Sequence, residues 1–291
     1  MALTWKTFNA NKMIFEDVKK CESDIASFQR IFVKYDYEDG KLPGKLSIRT
    51  PELFSWGIQE NGKNYKAPSS ATNPVEGYTM SFVMFNKDRL GGPTEDELKT
   101  IEMFEQILTK CKQHLKLPQT KAAMGKYQID PLVDLMSIFY RKQERGEFVP
   151  GYAPTMYPKL YTKFEKTRIV GNKPEIVTGF YSRDNVPIEP STLVGVKCNV
   201  IGEIIVDNIY VGAKPSIQVL LNDAIITEQF TRQRQLFISS VAEDEADAKP
   251  TSSVFNFMAT SSTTKAASAA SAAASSFTNP LETVVCRKPT S

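Results

Sequence analysis

The sequence predicts a mainly β chain with a helical insertion, an α+β protein, and three observations carry that reading. Short alternating runs bounded by turn residues fill most of residues 1–92 and resume from Met156. Between them one segment changes to apolar spacings of three and four, the period of an amphipathic helix. Near residue 240 both patterns stop. Many short strands around one or two helices point to a barrel or a sandwich.

In chain order, RIFVKYDY gives an extended run from Arg30 to Tyr37, Asp39-Gly40 a turn, and KLSIRT a second run from Lys45 to Thr50. LFSWGI follows. The stretch NGKNYKAPSSATNPVEG is too rich in Gly, Pro, Ser and Asn for regular structure, and GYTMSFVMF is the next strand. Thr94-Glu-Asp-Glu97 is a capping box. Leu98, Ile101, Phe104, Leu108, Cys111 and Leu115 then form one helical stripe, with Pro118 as a stop. PLVDLMSIFYRK suggests a shorter second helix, with Pro131 in its first turn. YPKLYTKFEKTRIV, EIVTGFYS, LVGVKCNVIGEIIVDNIYVGAK and SIQVLLNDAIIT return to the strand pattern. The expected organisation is one β-rich domain over 1–240, with the helical insertion near 94–143. Residues 241–291 form an acidic and then Ser/Ala-rich tail, expected to be disordered.

Composition narrows the function. A net charge of +3 says nothing about partners, but residues 140–183 hold nine Lys or Arg against four Glu. The four cysteines lie far apart, without metal-ligand or redox spacing, and are expected as reduced thiols in a cytosolic or nuclear compartment. No signal-peptide pattern or apolar run of membrane-spanning length is present. His114 is the sole histidine and sits in the Lys-rich end of the helix, where capping or solvation explains it. A His-dependent triad would have to use it, His/Cys zinc sites lack ligands, and neither Gly-rich phosphate loop occurs. The expectation is no enzyme, no catalytic residue, no cofactor and no metal.

The binding candidates come from YPKLYTKFEKTR. If extended, it places Tyr157, Lys159, Tyr161 and Lys163 on one face and Leu160, Thr162 and Phe164 on the other. Rings can stack bases while ammonium groups neutralise phosphates, a pairing suited to single strands, whose base faces are open. Lys166, Arg168 and Arg183 extend the basic track, with Tyr152 and Trp56 as further platforms. Each has a plainer alternative: strand aromatics pack across strands, lysine stems cover apolar surface, and a tryptophan is often core.

Taken in order, LSIRTPELFSWGI, GYTMSFVMF, the helix after Gly92, YAPTMYPKLYTKF and LVGVKCNVIGEIIVDNIYVGAKPSIQVLL resemble the single-stranded-DNA-binding proteins of nucleocytoplasmic large DNA viruses. The resemblance covers roughly residues 30–230. It implies an OB-like barrel with extensions, binding single-stranded DNA without strong sequence preference in viral replication, recombination or repair. RNA stays open as a second ligand. The implied setting is the host cytoplasm, at viral factories, or the nucleus, or the virion, with replication or virion proteins as partners of the tail. The competing expectation is a virion structural protein, a minor-capsid β-sandwich.

Overall fold

Two fourteen-residue strands, Cys198–Val211 and Ser216–Gln229, pair antiparallel and form the spine of the molecule. Three register shifts bend this hairpin, at Asn199/Val200, Glu203/Ile204 and Val206/Asn208. The bending lets the free edge of Cys198–Val211 serve three partners in succession: Leu53–Ser55, Gly44–Arg49 and Ser27–Tyr35. The computed structural model describes residues 2–22, 27–62, 74–86, 89–125, 135–149, 151–163, 173–212 and 215–230. The tail over 241–291, part of the polar loop, and Phe164, Lys166 and Arg168 lie outside the described residues.

The pairings run in a ring. Leu53–Ser55 continues beyond Gly57 as Ile58–Gly62, which pairs antiparallel with Val75–Met80. Phe82–Val83 carries that second strand on to Thr155–Met156, through Val83 opposite Thr155 and Phe82 opposite Met156. Lys159, one turn of the pleat later, faces Thr79, and Lys159–Leu160 runs parallel to Leu220 and Leu221 of the spine. Five extended segments therefore close on one another: 53–62, 75–83, 155–160, 216–229 and 198–211. Alternation aims their even-numbered side chains inward along the middle two. Met80, Phe82, Met84, Met156 and Leu160 have no exposed surface, and neither do Ile204, Val206 and Leu221 from the spine. Removing this much apolar surface from water is the dominant stabilising term, about 25 cal/mol per Å² buried.

Gly57 makes the kink between the two halves of the first segment. Its φ of 85° lies in the left-handed region, and a Cβ there would stand 2.4 Å from the Val196 carbonyl oxygen and 2.6 Å from that of Leu193. Only glycine fits both constraints.

The helical insertion enters after the second segment. Thr94 and Glu97 form the expected capping box at the start of α1 (Glu95–Leu115). The buried face differs from the expected stripe: Ile101, Met103, Phe104, Ile107, Cys111 and Leu115 are buried, Leu98 is exposed and Leu108 only half-buried. The capping geometry explains the rotation, because Glu97 turns inward to bond Thr94 and Arg89 and so takes a core-side position. Pro118 does not simply end a helix; it is the first residue of α2 (Pro118–Met124). The second helix expected over 131–142 is contradicted where it is described. Met136 bridges to Ser216, and Phe139–Tyr140 is a strand beside Thr155–Met156, with Phe139 edge-on to Phe104 at 5.9 Å. An open sheet edge and an aromatic partner outweigh the weak helical preference of Ile-Phe-Tyr.

His114 lies half-buried in the last turn of α1, its ring flat on Phe15 at 4.2 Å and its Nε2 3.4 Å from Thr120 Oγ1, and burial lowers its pKa. Cys21, Cys111 and Cys198 are buried thiols, and burial raises the pKa of Cys198 to about 11. Among the described residues no helix is long and apolar enough to cross a membrane.

Candidate nucleic-acid interface

The alternation expected from Tyr157 onward is present in direction. Met156, Pro158 and Leu160 are buried, so Tyr157, Lys159 and Tyr161 project from the outside of the ring. The segment is not one strand, however. Pro158 offers no amide to a ladder, and the Tyr161 amide donates to Thr178 Oγ1 at 2.9 Å instead of to the sheet. Thr162–Lys163 then leaves the ring and pairs with Glu175–Ile176 in a separate two-stranded sheet, with Lys163 opposite Glu175.

The four residues therefore sit in different surroundings. Tyr157 keeps 36% of its surface exposed. Its ring lies edge-on to Tyr140, 6.5 Å away, and burial raises its hydroxyl pKa. Lys159 is half-buried, donates to Gln218 Oε1 at 2.9 Å, and has its pKa pushed down to about 8 by burial, with the nearby Arg30 charge adding to the effect. Tyr161 is half-buried under Lys45, whose Nζ lies 5.6 Å from the ring centroid. Its hydroxyl is buried without a partner among the described residues, and its pKa is pushed up to about 12 by burial, then by the carboxylates of Asp207 and Glu203. Lys163 is exposed beside Glu175 rather than beside the rings.

Tyr157 gains a partner from elsewhere in the chain. The Trp56 amide donates to Ser81 Oγ at 2.9 Å, while Met80 donates to the Pro158 carbonyl and Phe82 faces Met156. The strand of Ser81, itself fully buried, thus runs between those of Trp56 and Tyr157. Two inter-strand steps of about 4.8 Å put the two backbones about 10 Å apart. Trp56 is 47% exposed, so it is not a core tryptophan. Phe54 braces it edge-on at 5.0 Å, and Phe230 stands 6.1 Å beyond. Lys197 holds its ammonium 4.7 Å from the Trp56 ring.

Two other candidates join this face from its sides. Tyr152 is 45% exposed, with Lys142 Nζ 4.7 Å from its ring centroid. Arg183 pairs with Glu52 at 3.0 Å, near the start of the strand that leads to Trp56. That pair is exposed on both sides and worth at most about 1 kcal/mol, so the guanidinium can exchange it for a phosphate. Trp56 and Tyr157 thus stand on strands separated by one other, with Tyr152 and Arg183 near the ends of those strands. Tyr161 has Asp207 and Glu203 for neighbours, whereas Lys159 faces Gln218 and Arg30. Sequence reasoning missed Lys197, Lys142, Tyr140 and Phe230. Their signal was weak: each stands at the end of a strand or beside one, and only the ring of pairings brings them to one surface. Among the described residues no group of three or more His, Cys, Asp or Glu is placed to hold a metal.

The chain is 34% identical over 222 residues to the early 31 kDa protein of Frog virus 3 (isolate Goorha), an alignment covering 76% of this chain and 78% of that one. A search of solved structures finds a single-stranded DNA binding protein encoded by bacteriophage T7, at 15% identity and a TM-score of 0.34, covering 71% of this chain and 100% of that one. A family model described as a protein of unknown function, DUF2738, matches residues 6–260. By that match and by the Frog virus 3 relative, the chain belongs to the DUF2738 family.

Proposed function

We propose that this protein binds single-stranded DNA, without strong sequence preference, across the outside of segments 53–62, 75–83 and 155–160. The observation that carries the reading is the pair Trp56 and Tyr157: two exposed rings from distant parts of the chain, on strands separated by the one that carries the buried Ser81. Each ring can take a base face, an interaction worth about 1–3 kcal/mol and indifferent to base identity. Lys197 and Lys142 stand over rings of this face, and Lys159 and Arg183 lie on neighbouring strands, where a threaded backbone could meet them with its phosphates. Lys197 over Trp56 and Lys142 over Tyr152 place the cation on the ring that would stack. A base arriving there displaces the ammonium toward the adjoining phosphate, so stacking and neutralisation occur in one step. Duplex DNA hides its base faces and would lose the stacking part.

Five segments closed in a ring, with the second and third carrying the proposed face, fit the OB-like barrel, whose second and third strands bind oligonucleotides. The Frog virus 3 relative is described as an early protein, and we place the role of this chain in the same phase, in DNA replication, recombination or repair.

The test is fluorescence anisotropy of a labelled thymidine oligomer at a series of salt concentrations, with duplex competitor. Four phosphates neutralised give a slope of log affinity against log salt of about −3. A slope near zero, or equal competition by duplex, contradicts the reading. No binding at any salt, together with co-purification on capsids, would favour the structural alternative.

A further inference from the structure

Beside the proposed face the chain builds a small hairpin, Gln143–Glu144 paired with Glu147–Phe148, that belongs to no other sheet. Its turn is Arg145-Gly146, both with positive φ, 54° and 88°. Two left-handed residues in a two-residue loop match the twist of the flanking strands. Its root is fixed: Val149 donates to the Lys142 carbonyl at 3.0 Å, and Arg141 pairs with Glu105 of α1 at 2.6 Å. Phe139–Tyr140, just before it, is the strand that lies against Thr155–Met156.

Phe148 is out of place in purely structural terms. It is 60% exposed, more than Trp56, Tyr152 or Tyr157, and stands opposite Gln143 in a hairpin that buries none of its four strand residues. A polar or β-branched residue would serve that strand position as well. The exposed rings nonetheless form a series. Tyr157 lies next to Tyr140 at the hairpin root, Tyr152 donates its amide to the Val149 carbonyl, and Phe148 precedes Val149 on the arm. Charge is mixed along it. Lys142 pairs with Glu144 at 2.7 Å and Glu147 is exposed, while Arg145 at the tip has no carboxylate partner among the described residues.

We propose that the hairpin 143–148 is a second arm of the binding path, and that Phe148 stacks a base of a strand already held on Trp56 and Tyr157. The inference rests on the single-strand reading above. It makes the site longer than the ring face alone and gives affinity a dependence on oligomer length that one residue controls.

Full-length protein and the Phe148→Ala variant are titrated with thymidine oligomers of about 6 and about 15 nucleotides, lengths near the two ends of the range for one OB-type site. The wild type is expected to bind the longer oligomer more tightly, and Phe148→Ala to lose about tenfold on the longer one and almost nothing on the shorter. Phe148→Trp is expected to restore the longer-oligomer affinity. Equal affinities of wild type and Phe148→Ala at both lengths overturn the arm while leaving the face intact. Equal losses at both lengths also overturn it, since Phe148 would then belong to the face itself. A wild type that binds neither oligomer sinks the single-strand reading, and the arm with it.

Discussion

Tyr157 and Tyr161 leave the same side of the chain four residues apart, yet Tyr157 is exposed and Tyr161 half-buried. Tyr157 lies edge-on to Tyr140 and keeps 36% of its surface exposed, although burial still raises its hydroxyl pKa. Around Tyr161 the spine presents Asp207 and Glu203, and Lys45 reaches the ring from Gly44–Arg49, on the far side of the spine. The register shifts at Glu203/Ile204 and Val206/Asn208 bend the spine beside these groups. Alternation fixes which way a side chain points. Curvature and the size of its neighbours fix how deep it lies.

The comparison breaks most visibly if both open rings are removed. Trp56→Ala with Tyr157→Ala is expected to weaken oligothymidine binding by about 2–6 kcal/mol in anisotropy titrations, with the circular dichroism spectrum unchanged. Next in size is Gly57→Ala, which forces a Cβ against two carbonyl oxygens at the kink behind Trp56. A loss of about 3 kcal/mol in urea unfolding is expected, because a strained φ and a backbone clash act together. Tyr161→Phe is the counterpart at the crowded end. It removes a buried hydroxyl that has no partner among the described residues, so stability is expected to hold or rise by about 1 kcal/mol while affinity stays at the wild-type value. A loss of affinity there would erase the distinction between the two tyrosines.

Lys159 stands between the two ends and supplies a pH dependence. Its pKa is lowered to about 8, so its charge is present below that pH and lost as pH rises through it. Affinity for the oligomer is expected to fall between pH 7 and pH 9 by an amount that disappears in Lys159→Gln. The sign for folding is opposite. An ammonium that is harder to protonate in the folded chain than in the unfolded one penalises stability at low pH and relieves it as pH rises from 8. The smallest expected effect is that of Lys197→Ala, which reduces the salt slope by about 0.7 if one phosphate contact is lost.

Much of the fold was legible in the sequence. The strands of the spine, the capping box at Thr94 and the chain's mainly β character follow from patterns confined to short windows. The ring was not legible, because it depends on register sums between segments that local pattern does not report, such as Val83 with Thr155 and Lys159 with Leu220. The same limit explains the candidate site. Trp56 and Tyr157 could each be named as residues that stack, but nothing local says that the strand of Ser81 joins theirs. Nor does any local signal say that Thr178 would capture the Tyr161 amide and turn Lys163 aside.

The central claim is that a base lies on Trp56, and tryptophan emission reads that directly. Trp5 is the only other tryptophan, half-buried and bonded through Nε1 to Asp96 at 2.8 Å, so Trp5→Phe leaves Trp56 as the single reporter. In that variant, emission should be quenched in proportion to bound thymidine oligomer and recover when salt releases the strand. Binding seen by anisotropy with no change in Trp56 emission would contradict the account.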